Sequence, residues 1–380
     1  MLSIGIPKEI KTLEKRVALT PEAAGILHRE GISIFVEKGA GRGSGFPDED
    51  YRQNGAVILP DHAAVFEKSE ILQKVKEPLP AEYSLLRSGQ VLFCFLHLAS
   101  PEQSELVRVL TQNKVTAIGY ETLEKNGELP LLAPMSEIAG GLAAAYGSFF
   151  HSEGIERVIS MNRQDLLRNL ETIARDYPSL QAIPSKPGRV VIFGGGRAGQ
   201  KAMEASLGLG KKVIVVEKNE ERRQALRARK LFVFSPDESI STILEEADIL
   251  IGCAHSKGLR AEQVMTAETL KRISASKKKI LMDVSIDQGG NFPESKAMTY
   301  EDPVDLDTLG NLHFTVPNIP SLAGQTASRI LSEKSLPYSR ALAQGLAQAF
   351  REYPELEQAV NIQGGRMKIP SEKGCPDDEK

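Results

Sequence analysis

Short apolar runs alternate with stretches of helical period along most of the chain. In the first third, LSIGIP (2–7), ISIFVEK (32–38), ILQKVKEP (71–78), VLFCFLHL (91–98) and VTAIGYETL (115–123) read as strands. Thr20-Pro21-Glu22 opens a helix after the first of them. Thr20 can cap it, Pro21 suits its first turn, and Gly31 ends it. A glycine-rich loop, GAGRGSGF (39–46), follows the second strand, and PEQSELVRVLTQN (101–113) has a helical period. The small-residue run SEIAGGLAAAYGSFF (136–150) predicts a long helix able to approach another closely, opened by Ser136 and Glu137. RQDLLRNLETIARDY (163–177) is helical in spacing, and SLQAIPSKPG (179–188) reads as a linker. A second series begins at RVVIFGGG (189–196) and runs through KKVIVVEK, ADILIGCA and KKILMDVS to LHFTVPNIP (312–320). From about residue 321 the chain turns helical, with SRALAQGLAQAF (339–350) the clearest amphipathic piece and a polar tail after it.

Strands alternating with helices imply parallel sheets covered on both faces. The expected fold is therefore α/β, with two Rossmann-like, doubly wound parallel-sheet domains and a cleft between them. The boundaries expected are 1–135 plus 321–380 for a substrate domain and 136–320 for a dinucleotide domain. A chain of 380 residues is long enough for two cores. Its net charge of -3 gives no reason to expect nucleic acid or an anionic membrane as a partner. No apolar run reaches the roughly 18 residues that span a bilayer. The three cysteines, Cys94, Cys253 and Cys375, lack metal or disulfide spacing, so no metal site and a reducing cytoplasmic compartment are expected.

Chemistry enters with RVVIFGGGRAGQKAMEASLGLGKKVIVVEKN (189–219), where Gly194, Gly196 and Gly199 form a G-x-G-x-x-G run between an apolar strand and a helix. Gly194 permits the tight turn, Gly196 lets amides approach a pyrophosphate, and Gly199 allows close helix–strand packing. Glu217, 23 residues after Gly194, ends the next strand where a carboxylate can accept from ribose hydroxyls. That favours NAD over NADP, although Lys218, Arg222 and Arg223 stand close enough to attract a phosphate. His97 is harder to interpret, because a histidine inside VLFCFLHLAS taken alone reads as a packed core residue.

Five stretches together carry a resemblance: GIPKEIKTLEKRVALTP (5–21), ILQKVKEP (71–78), VLFCFLHLAS (91–100), LPLLAPMSEIAGGLAAAYG (129–147) and LMDVSIDQGG (281–290). The chain resembles the alanine dehydrogenase family, whose architecture is shared by the nucleotide-binding part of nicotinamide nucleotide transhydrogenases. The resemblance implies NAD as cofactor, and an amino acid and its keto acid as substrates. It also implies a homo-oligomer, often a hexamer. Arg16 and Lys76 match the cationic residues that hold the substrate carboxylate. His97 matches the catalytic histidine, suited by its near-neutral pKa to move protons as an iminium forms and is hydrated. Asp287 matches the second catalytic residue, with Asp283 a competing candidate that its apolar neighbours assign to the strand. Ser136, Arg222 and Asn318 match residues lining the cofactor.

Two departures stand out. Residues 155–187 replace a short glycine-rich loop of the family with a longer charged helical segment. After Asn318 the chain reads SLAGQTAS, with Gln325 where the family usually has a basic residue. The expected activity is reversible, NAD-dependent oxidative deamination of L-alanine to pyruvate and ammonia. Other readings remain open at this point: an opine- or saccharopine-type dehydrogenase, a transhydrogenase-like nucleotide-binding subunit, or an NAD-binding protein without catalysis.

Overall fold

The computed structural model describes residues 1–255 and 260–368; Cys375 and the rest of the polar tail lie outside the described residues. The chain forms two compact units, Met1–Pro134 with the chain from Gly324 onward, and Met135–Ala323.

In the first unit the strands β1 (Ile4–Ile6), β2 (Ile34–Glu37), β3 (Val57–Leu59), β4 (Ile71–Gln73), β5 (Val91–Cys94) and β6 (Thr116–Gly119) pair in parallel in the order 3-2-1-4-5-6. Strands β1, β4, β5 and β6 are buried on both faces, which explains their unbroken apolar sequence. Thr20 caps the helix Pro21–Arg29 through Oγ1, which accepts from the Ala23 N–H.

The second unit holds β7 (Arg189–Phe193), β8 (Lys212–Val216), β9 (Phe232–Phe234), β10 (Ile249–Gly252), β11 (Ile280–Asp283), β12 (Asp305–Leu306) and β13 (Leu312–Phe314). Its sheet order is 12-13-11-10-7-8-9, parallel except that β12 runs against β13. The order reverses direction between β1 and β4 in one sheet and between β7 and β10 in the other. Doubly wound sheets bind ligands beyond the carboxyl ends of their strands at such points.

Several local expectations are corrected. The first unit's sheet is not wholly parallel, because β14 (Val360–Gln363) pairs antiparallel with β6 and β15 (Arg366–Met367) folds back on β14. The last part of the chain is thus not all helix. SRALAQGLAQAF is not one helix either: Gly345, at φ 108°, separates Gly324–Ala343 from Leu346–Glu352. Ser136 does not open its helix, which begins at Leu132 with Pro134 in the first turn, where proline's missing N–H has no helical partner to lose. The small-residue face of this helix meets a neighbour inside the second unit. A Cβ on Gly140 would lie 1.9 Å from the Ala198 carbonyl oxygen.

Candidate active site

Arg16, Lys76 and His97 lie beyond the carboxyl ends of β1, β4 and β5, three neighbouring strands of one sheet. Each is held by a glutamate. The Arg16 guanidinium is buried and donates from Nε to Glu14 Oε1 (2.7 Å) and from Nη2 to Glu14 Oε2 (2.6 Å). The two-bond grip expected for a substrate carboxylate is, on this edge of the guanidinium, used by a neighbour two residues away. Lys76 Nζ lies 3.7 Å from Glu77 Oε2, while Glu77 Oε1 accepts from Lys11 Nζ at 2.8 Å. Burial opposes the Glu77 charge, but Lys76 and Lys11 hold its carboxyl below the usual range.

Beneath Lys76 runs a buried polar chain. Glu9 Oε1 accepts from the backbone N–H groups of Val75 (2.6 Å) and Lys76 (3.4 Å), which fixes the loop leaving β4. Glu9 Oε2 lies 3.4 Å from Lys74 Nζ, which donates to Glu82 Oε1 at 2.7 Å. His62 then bridges Glu82 (2.9 Å from Nε2) and Glu37 (2.5 Å from Nδ1). Burial works against the Lys74 charge, yet Glu9 and Glu82 more than offset it and push its pKa up. Burial likewise opposes a charged His62, but its two carboxylate partners raise its pKa to about 9.

His97 is not a core residue. Strand β5 ends at Cys94, and the imidazole is exposed, stacked on Phe95 at 6.1 Å with planes 7° apart. Its backbone is left-handed, with φ 51°. For a residue other than glycine such a conformation costs of order 1–3 kcal/mol and persists only where surroundings impose it, often at functional sites. Glu121 holds the peptide that enters His97, accepting from the Leu96 N–H on Oε2 (3.1 Å) and the His97 N–H on Oε1 (2.8 Å).

In the second unit, Gly194, Glu217, Asp287 and Asn318 follow the carboxyl ends of β7, β8, β11 and β13. The glycines fit a dinucleotide. Gly194 has φ 95°, and a Cβ there would lie 2.6 Å from the Cys253 carbonyl oxygen. A Cβ on Gly199 would lie 1.8 Å from the Gly194 oxygen, so strand and helix cross at backbone contact. Beside Gly196, at the start of the helix Arg197–Gly208, nothing stands within 4 Å of where a Cβ would be. That open space faces the amino end of a three-turn helix, the geometry a pyrophosphate needs. Glu217 Oε2 accepts from the Gly195 N–H (2.6 Å) and Arg222 Nη1 (3.0 Å), and Oε1 accepts from the Asn219 N–H (2.7 Å). Burial disfavours its charge, but these donors keep its pKa low. Glu217 therefore ties the glycine loop down from the end of β8.

Asp287 is exposed on the short turn Ile286–Gln288, ahead of Gly289 and Gly290 at φ 101° and 81°. Asp283 is fully buried, and its Oδ2 accepts from the Asn291 N–H and Ser295 Oγ, both at 2.7 Å. It shapes the loop after β11. Asn318 sits at φ 63° before the turn Ile319–Leu322. Ser136 lies one residue before Glu137, whose Oε1 is 3.5 Å from Arg197 Nη1 at the glycine-loop helix.

The sequence reading missed Glu9, Glu14, Lys74, Glu77 and Glu121. The first four lie inside the quoted motifs, in the alternating charges of KEIKTLEKR and KVKEP, which was the available signal. Nothing local marks Glu121, since its partners are 24 and 25 residues earlier.

Two family models match the chain: the alanine dehydrogenase/PNT N-terminal domain over residues 5–139 and its C-terminal domain over residues 179–370. The alanine dehydrogenase of Methanococcus maripaludis is 35% identical over 373 residues, covering 96% of this chain and 94% of that protein. That of Bacillus subtilis is 34% identical over 393 residues, covering 99% and 98%. A solved L-alanine dehydrogenase superposes with a TM-score of 0.83 at 35% identity, covering 97% of each chain. A transhydrogenase from Sinorhizobium meliloti superposes with a TM-score of 0.71 at 20% identity, a likeness of fold.

Proposed function

Because the chain belongs to the alanine dehydrogenase/PNT family, we propose that it catalyses the reversible, NAD-dependent oxidative deamination of L-alanine to pyruvate and ammonia. The observation that carries this reading is the exposed, left-handed His97 beside the strand that delivers Lys76. A carboxylate-binding cation and an imidazole on adjoining strand ends are what an amino-acid substrate requires.

Lys76 and Arg16 hold the substrate carboxylate. His97 takes a proton from the water that adds to the substrate iminium and returns one to the leaving ammonia. Asp287 orients that water and balances the positive charge. Bound NAD supplies the hydride acceptor for the substrate Cα; Gly194, Gly196 and Gly199 would hold its pyrophosphate and Glu217 its ribose. Ser136, Arg222 and Asn318 complete the cofactor lining. Among the described residues no helix is long and apolar enough to cross a membrane. We further propose a cytoplasmic homo-oligomer.

The test is NADH formation with NAD and a panel of L-amino acids, paired with NADH consumption on pyruvate and ammonium. Turnover on alanine and pyruvate, abolished in His97→Ala with NADH affinity retained, is the expected result. Turnover on a larger amine alone would replace alanine as substrate. No turnover would discard the catalytic reading.

A further inference from the structure

We propose that Glu121 is a positioning residue for His97, acting through the backbone; the idea rests on the reading of His97 as the group that moves protons. The carboxylate follows β6 and reaches to the end of β5, where each oxygen takes one of two consecutive N–H groups, those of Leu96 and His97. Both bonds lie on the amino side of the His97 Cα, so they hold the peptide from which His97 hangs. Its left-handed φ of 51° begins the turn that follows, where the Ser100 N–H donates to the His97 carbonyl at 3.0 Å. Leu96 on the held peptide is buried, His97 is exposed, and its ring lies parallel to Phe95 with centroids 6.1 Å apart. The carboxylate lies close to the end of β6, where a Cβ on Gly119 would stand 2.8 Å from Thr122 Oγ1 and 2.9 Å from both Asn361 Oδ1 and Glu121 Oε1. With its oxygens accepting from amides, Glu121 fixes where His97 sits and is not itself the proton carrier.

The role is distinct from that of a loop cap, because it predicts loss of the chemical step with binding preserved. Glu121→Ala should lower kcat by about 10- to 100-fold, the scale of a misplacement near 1 Å. KM for alanine, NADH affinity and Tm should stay close to wild type. Glu121→Gln, which keeps the shape and one acceptor oxygen, should fall between the two. A second readout needs no activity. The chain has six histidines, so selective 15N labelling gives a sparse amide spectrum in which His97→Gln identifies one signal. In Glu121→Gln that signal should move and its hydrogen exchange should quicken.

Wild-type kcat in Glu121→Ala would overturn the proposal, as would an unmoved His97 amide. A kcat loss matched by falls in Tm and NADH affinity would also overturn it, by making the effect a general loosening. If the wild-type protein oxidises no amino acid, the functional reading fails, and the amide signal alone decides whether Glu121 holds His97.

Discussion

Lys74→Met tests whether the buried chain under Lys76 is held by charge. Lys74 is 1% exposed, and methionine keeps most of its length while removing the ammonium. Glu82 would retain two donors, His62 Nε2 at 2.9 Å and the Leu79 N–H at 2.8 Å. Glu9 would lose its nearest cation and keep the Val75 and Lys76 amides on one oxygen, with Glu14 adding repulsion. Breaking a buried pair by removing one partner costs about 3–5 kcal/mol. Glu9 has one way to lessen that loss, which is to take up a proton. Burial already raises its pKa against the pull of Lys74, and without Lys74 the rise must be larger. A carboxyl whose folded pKa lies above its unfolded value is stable at low pH and loses that stability as pH rises toward the folded value. The deficit of Lys74→Met should therefore grow with pH above the unfolded value of 4.5, by at most about 1.4 kcal/mol per unit. Urea unfolding near pH 5 and pH 8 measures it, with Lys74→Met/Glu9→Gln expected to recover most of the loss. A deficit under about 1 kcal/mol at the higher pH, the scale of an exposed pair, would refute the reasoning. So would equal deficits at both pH values.

His62 should make stability fall in alkali. Its pKa is raised from 6.5 to about 9, so its contribution is whole below pH 6.5 and fades as pH climbs through 9. Thermal unfolding across that window should decline less steeply in His62→Gln, and parallel curves would remove the histidine from the account. In the second unit, Gly199→Ala puts a Cβ 1.8 Å from the Gly194 oxygen, an overlap of two backbones that no rotamer relieves. Overpacking of this kind costs about 1–3 kcal/mol, and fluorescence titration should show weakened NADH binding. Unchanged affinity would discard the phosphate-loop assignment.

Much of the architecture was legible because it is written in local spacing. Alternating apolar runs and helical periods marked ten of the strands, and G-x-G-x-x-G between strand and helix marked the open space at Gly196. The strand β14 was missed because its run, AVNIQGG, is short and follows helical sequence; only pairing with β6 makes it a strand. His97 shows the same limit. Its residue type and motif pointed to chemistry, yet the apolar run gave no reason for it to be exposed. What holds the peptide that enters it is a carboxylate arriving from the next strand of the sheet. Glu9, likewise, meets the Lys76 loop across 66 and 67 residues of sequence. The chain by itself determined the two β/α series, the glycine loop and the residue types at the strand ends, because period and glycine spacing act over a few residues. The tertiary structure decided which glutamate holds which cation or amide, because such pairs form only after distant strands lie side by side.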